Sequence, residues 1–130
     1  YKDYLNYQVN TQTGTIRSKW LRSVNSQEYR EGMLYTHKLI TEHNLFFWIY
    51  DASRYSAPNV SDQVWLTNVF TPLLTQTNLK KTASILSGDV IMQMVAEQIR
   101  VKALPIMIDK LQYQSFHDLE SAEEWIFEIS

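Results

Sequence analysis

The feature that most constrains this chain is the run Leu45-Phe46-Phe47-Trp48-Ile49-Tyr50, in which every residue is apolar or aromatic. A stretch this short and apolar on both alternating faces fits a strand covered from each side, the central strand of an α/β sheet. "KTASIL" at 81–86 reads as a second buried strand, and "QYQSF" at 112–116 as a weaker one nearer the edge. Upstream, "YLNYQV" (4–9) and "TIRSKWLR" (15–22) are β-rich and joined by "NTQTG", whose Gly14 supplies the positive φ of a short hairpin loop.

Between the strands the period changes from two to between three and four. Asn25 with Glu28 forms a capping box, and Tyr29, Met33, His37 and Ile40 then mark one helical face up to Asn44, a C-cap residue. Ser61 is read as the N-cap of a helix to Asn78, with Asp62 at the positive end of its dipole and Trp65, Val69 and Leu73 along one side. Pro72 is expected to kink or divide that helix. After the turn Ser87-Gly88-Asp89, a helix is predicted with Ile91, Met94, Val95, Gln98 and Ile99 facing inward. Pro105 is expected to end it, leaving 103–110 as a loop. Ser121 with Glu124 suggests a second capping box, opening a last helix with Ala122, Trp125, Ile126 and Ile129 on its inner stripe.

The resulting order, β-β-α-β-α-β-α-β-α, predicts an α/β fold: a mixed sheet opened by an antiparallel hairpin and continued by right-handed crossovers, with helices over at least one face. At 130 residues and 45% hydrophobic, the whole chain, 1–130, reads as one domain. Ligand sites in such folds lie beyond the carboxyl ends of parallel strands, which directs attention to the loops at Asp51, Ser87 and His117.

Composition removes several functions. A net charge of -2 from interspersed acids and bases offers no field to hold nucleic acid or an anionic bilayer. Without cysteine there is no disulfide, thiolate-held metal or thiol nucleophile. No window approaches the roughly 20 apolar residues of a spanning helix, so the chain is read as soluble, without membrane insertion, and cytoplasmic. It opens on Tyr1, so its first residues carry no information on targeting.

Nothing dictates a chemistry. Asp51, Asp89 and Asp118 each stand near a strand end, and converging there they would suit magnesium or calcium. The same residues equally serve as helix caps and turn formers, and no metal or other cofactor is assigned. A phospho-receiver fits Asp51 and Ser87 only superficially: the acidic pair after the first strand and the Lys-Pro pair after the last are missing, and an opening hairpin is the wrong topology. His37, His43 and His117 show no metal-ligand spacing, there is no G-x-S-x-G elbow, and "LSGD" lacks the spacing of a phosphate-binding loop. Trp20, Trp48, Trp65 and Trp125 are read mainly as core. Lys80-Lys81 and Arg100 with Lys102 read as solvated helix ends. No catalytic residue is assigned, and the chain is read as non-enzymatic.

The segments "SKWLRSVNSQEYREG", "WIYDASRY", "SDQVW", "LKKTASILSGD" and "FHDLESAEEWI" together resemble the SpoIIAA-like, STAS-type domains, over roughly residues 15 to 127. These domains share a superfamily-level likeness with CRAL-TRIO lipid-transfer domains. The resemblance implies a small stand-alone bacterial regulatory or protein-interaction module similar to anti-sigma factor antagonists. In such regulators a phosphorylated serine opens the helix after the Asp-ended strand; the matching place here is Ser61, in "NVSDQV", without the family's double serine and glycine. Ser53, Ser56 and Ser61, with Asp51 fixing the loop, then form a docking surface for a protein partner, a regulator or kinase, and a homodimer is compatible with this reading. The lipid-transfer likeness implies a second class, a carrier or sensor of a small apolar ligand between helices and sheet, for which Met33, Met92, Met94 and Met107 are candidate lining residues.

Overall fold

The computed structural model describes residues 1–128. The strands are β1 (Leu5–Asn10), β2 (Thr15–Trp20), β3 (Phe47–Asp51), β4 (Lys81–Ile85) and β5 (Gln112–Phe116). The helices are α1 (Ser26–Glu42), α2 (Val60–Trp65), α3 (Thr71–Thr75), α4 (Val90–Met107) and α5 (Leu119–Ile126), with a π-helical segment, Leu66–Phe70, joining α2 to α3. Ile129, expected on the last inner stripe, lies outside the described residues.

All five strands form one sheet in the order β1-β2-β3-β4-β5. β1 runs antiparallel to β2, and every later pair is parallel, so the sheet is mixed and opened by a hairpin, as the sequence predicts. Gly14 sits at φ +66° in the hairpin loop, and its carbonyl accepts from the Phe46 and Phe47 amides, tying the loop to the start of β3. A sheet that grows in one direction through right-handed crossovers carries all its crossover helices on one face. The packing agrees: Ile16, Trp20 and Trp48 share a core with Tyr29, Met33 and Ile40 of α1, Phe70 and Leu74, and Met92, Ala96 and Ala103 of α4. We call this the crossover face. On the opposite face Ile49, Ala83 and Ile85 pack against Ala122 and Ile126 of α5.

Several local expectations hold. Asn25 Oδ1 accepts from the Glu28 amide at 2.9 Å and Glu28 Oε1 from the Asn25 amide at 3.1 Å, the reciprocal capping box. α1 closes with Asn44 at φ +53°, the Leu45 amide bonding the Ile40 carbonyl and the Asn44 amide that of Thr41, a Schellman motif.

Four expectations are corrected. The N-cap of α2 is Asn59, whose Oδ1 accepts from the Asp62 amide at 2.8 Å, so Ser61 lies inside the first turn. α5 is capped by Asp118, which accepts from the Ser121 amide at 2.7 Å, and Ser121 is helical. In both places a carboxylate or amide oxygen upstream outcompetes a serine for the same free amides. α4 continues through Pro105 to Met107. The proline falls in the final turn, where only one intrahelical bond is lost. α4 is also turned relative to expectation: Met92, Ala96, Ala103 and Met107 face the core, whereas Ile91 and Met94 are 67% and 56% exposed. Apolar residues surround much of this helix, so its spacing admitted two inner faces. Pro72 divides the 60–75 helix in an unexpected manner. The Thr71 amide and hydroxyl both reach the Leu66 carbonyl in a widened π turn, and the chain passes Pro72 without leaving helical dihedrals.

Candidate functional site

The carboxyl-end loops are engaged locally. Asp51 accepts from the Ser53 amide at 2.9 Å and the Ser53 hydroxyl at 2.6 Å, closing an Asx turn, with Lys19 Nζ 3.9 Å away. Asp89 caps α4 through the Ile91 amide, and Asp118 caps α5. Hydrogen bonding from Ser121 holds the Asp118 carboxyl below its usual range. Among the described residues no three His, Asp or Glu side chains are grouped closely enough to hold a metal ion. Ser56 is exposed, and its amide and hydroxyl both meet Ser23 Oγ.

Ser61 is exposed, and its hydroxyl accepts from the Arg30 guanidinium at 3.0 Å. The same guanidinium donates through Nε to Asp62 Oδ1 at 2.9 Å, and Ser26 donates to that oxygen as well. Asp62 is buried. A single arginine on α1 therefore links an exposed hydroxyl to a buried carboxylate on α2, stacked over the Trp65 ring at 5.4 Å.

A largely apolar concavity lies under the crossover helices. Strand alternation sends Trp48 and Tyr50 of β3, Thr82 and Ser84 of β4, and Tyr113 of β5 to this face, in register across the sheet. α4 crosses above them with Met92, Ala96, Ala103 and Met107, while Phe70 and Leu74 close one flank and Met33 reaches in from α1. Bulky rings and thioethers leave a cavity of about 90 Å³ between sheet and helices, large enough for several water molecules. Of the four methionines expected to line such a space, Met33, Met92 and Met107 do, and Met94 is exposed on the other side of its helix.

Arg100 apart, the polar side chains lining this space are hydroxyls. Thr82 and Ser84 are 3% and 0% exposed, and among the described residues neither hydroxyl has a partner in hydrogen-bonding geometry, the Tyr113 hydroxyl lying near Ser84 but outside that geometry. Burial pushes the Tyr29, Tyr50 and Tyr113 hydroxyls above their usual range; Trp20 donating to Tyr50, and the nearby Ser84 and Ser115 hydroxyls at Tyr113, pull the other way less strongly. Among the described residues the one cationic side chain along the lining, Arg100, is held by Glu97 of its own helix at 2.7 and 3.0 Å. The sequence carries a signal for the two hydroxyls: polar residues at alternate positions of a strand buried on both sides. The Arg30–Asp62 pair has no comparable signal, because its members lie far apart in the chain.

No family model matches this sequence, and no curated protein does. A crystal structure of an uncharacterised DUF3478-family protein with a SpoIIAA-like fold, from Shewanella loihica PV-4, superposes with a TM-score of 0.60. The match covers 95% of this chain and 94% of that one at 11% identity. The fold is therefore SpoIIAA-like. Among the described residues no helix is long and apolar enough to cross a membrane.

Proposed function

We propose that this chain is a non-catalytic binding module whose crossover-face cavity takes up a small, mainly apolar molecule. The observation that carries this reading is the cavity itself, bounded by the sheet, α3 and α4 and lined by adaptable methionines and aromatic rings. The test is thermal: apolar probes of benzene size raise the melting temperature of the wild type, because a ligand that binds only the folded state stabilises it. Ala103→Leu, which builds side chain into the cavity, removes that shift. A wild type that ignores every probe, or an Ala103→Leu variant that responds as the wild type does, sinks the reading.

A second reading, a regulatory interaction module switched at Ser61, draws support from Arg30. Ser61 does not cap its helix, and its exposed hydroxyl, bonded among the described residues only by the surface Arg30 guanidinium, is accessible to modification. A phosphate there adds about two negative charges within reach of Arg30 and competes with Asp62 for the guanidinium. The competition loosens the tie between α1 and α2 and recharges the surface formed by Ser53, Ser56 and Ser61. Ser61→Asp and Ser61→Ala baits discriminate: a protein partner retained by wild type and Ser61→Ala and released by Ser61→Asp supports the switch. Identical retention by all three baits refutes it.

A further inference from the structure

We infer that the molecule bound in the cavity carries an uncharged hydrogen-bonding group, a hydroxyl or carbonyl, which docks on Thr82 and Ser84 at the sheet end while its apolar body lies under α4. The inference rests on the cavity-binding reading above and specifies its ligand. Folded proteins leave few buried polar groups unmatched. Here two stand on one strand face, both aimed into the same apolar space. The strand repeat sets their backbones about 7 Å apart, so one small polar group lying between them can meet both rotatable hydroxyls. A hydroxyl on the ligand suits this arrangement, since it donates to one neighbour and accepts from the other.

Charge chemistry narrows the class further. An anionic head group buried at β4 would need a cation beside it, and the only one lining the cavity among the described residues, Arg100, is already clasped by Glu97. A cationic head finds no carboxylate along the lining among the described residues. The neighbouring rings of Trp48, Phe70 and Tyr113 favour a flat body, so the chemical class is a neutral phenol-like amphiphile.

Phenol and toluene have nearly the same shape and differ in the group at issue, which makes them the probes. Each is titrated by two-dimensional NMR into the wild type and into Thr82→Val/Ser84→Ala, with Met33 and Met107 methyls as reporters. The double variant is expected to keep toluene binding and to lower the ratio of phenol to toluene affinity by about tenfold, the loss of one to two net hydrogen bonds. Ser84→Ala alone carries the same test, with a smaller fall, should the pair fail to fold.

A ratio unchanged by the substitutions overturns the docking of a polar group on β4 while leaving the cavity reading intact. Benzoate binding more tightly than phenol overturns the uncharged head and points to Arg100 released from Glu97. If neither phenol nor toluene perturbs the wild type, the cavity reading and this inference fall together.

Discussion

The two faces of the sheet use alternate residues of the same strands and reach opposite solutions. Against α5 the fully buried centre is small and aliphatic: Ala83 and Ala122 meet there, Ile49, Ile85 and Ile126 complete the contact, and the rings of Phe47, Phe116 and Trp125 are kept to its partly buried margin. Lys81 Nζ donates to the Trp125 carbonyl at 2.9 Å and Arg17 pairs with Glu123 at 2.8 Å, pinning the helix at its margins. On the crossover face the side chains are large and aromatic. Trp20 stacks between Tyr4 and Tyr29, and its indole donates to the Tyr50 hydroxyl at 2.6 Å. Flat rings on several helices do not tile a twisted sheet completely, and the remaining gap is the cavity. Close packing and a binding space are thus distributed between two sides of one set of strands.

The two faces differ most in what they lose at Trp20 and Ile126. Trp20→Ala empties the stack and leaves the Tyr50 hydroxyl without its donor, and urea denaturation should show a loss of about 3–5 kcal/mol. Ile126→Ala opens the smaller α5 core and is expected to cost about 2–4 kcal/mol, with the crossover-face aromatic signals in near-ultraviolet circular dichroism retained. Equal loss of those signals in both variants would show that the faces do not behave as separate packing units.

Titration sharpens the contrast. Burial raises the Tyr29, Tyr50 and Tyr113 hydroxyls on the crossover face above the ordinary tyrosine value of 10.0. Above that pH the unfolded chain releases these protons and the folded one retains them, so stability falls as pH rises past it. Alkaline unfolding should therefore begin with loss of the aromatic signals. The smallest effect lies on the other face. The Asp118 carboxyl is lowered from 3.8 by its bonds to Ser121, so its capping contribution is present above that value and fades as pH falls through the folded one. Asp118→Asn keeps a capping oxygen without the titration, and its acid unfolding curve should be flatter than that of the wild type.

What the sequence reveals follows from how local each signal is. The hairpin, the strands and the reciprocal cap at Asn25 are set by neighbours within a few residues, and all are legible. The caps at Asn59 and Asp118 are local too, yet each competes with a serine a short distance downstream, and only backbone geometry decides between them. The facing of α4 is less accessible because apolar residues occupy two of its sides. Which side turns inward depends on the strand residues beneath it. Met33 and Met107 are legible as cavity candidates; the unmatched state of Thr82 and Ser84 emerges only when the sheet register and the helices above it are assembled.

Strand order also sets a timetable. Since β1 to β5 are neighbours in the order in which they are synthesised, the sheet can lengthen by one edge as the chain leaves the ribosome, each new strand finding its template already in place. The crossover helices arrive between the strands and shield their own side as it grows. The opposite side has no such escort: Ile49, Ala83 and Ile85 stay wetted until α5, which follows every strand, has emerged. A nascent chain halted before Leu119 would present an apolar strip across β3 and β4, the kind of surface that chaperones hold and proteases clear.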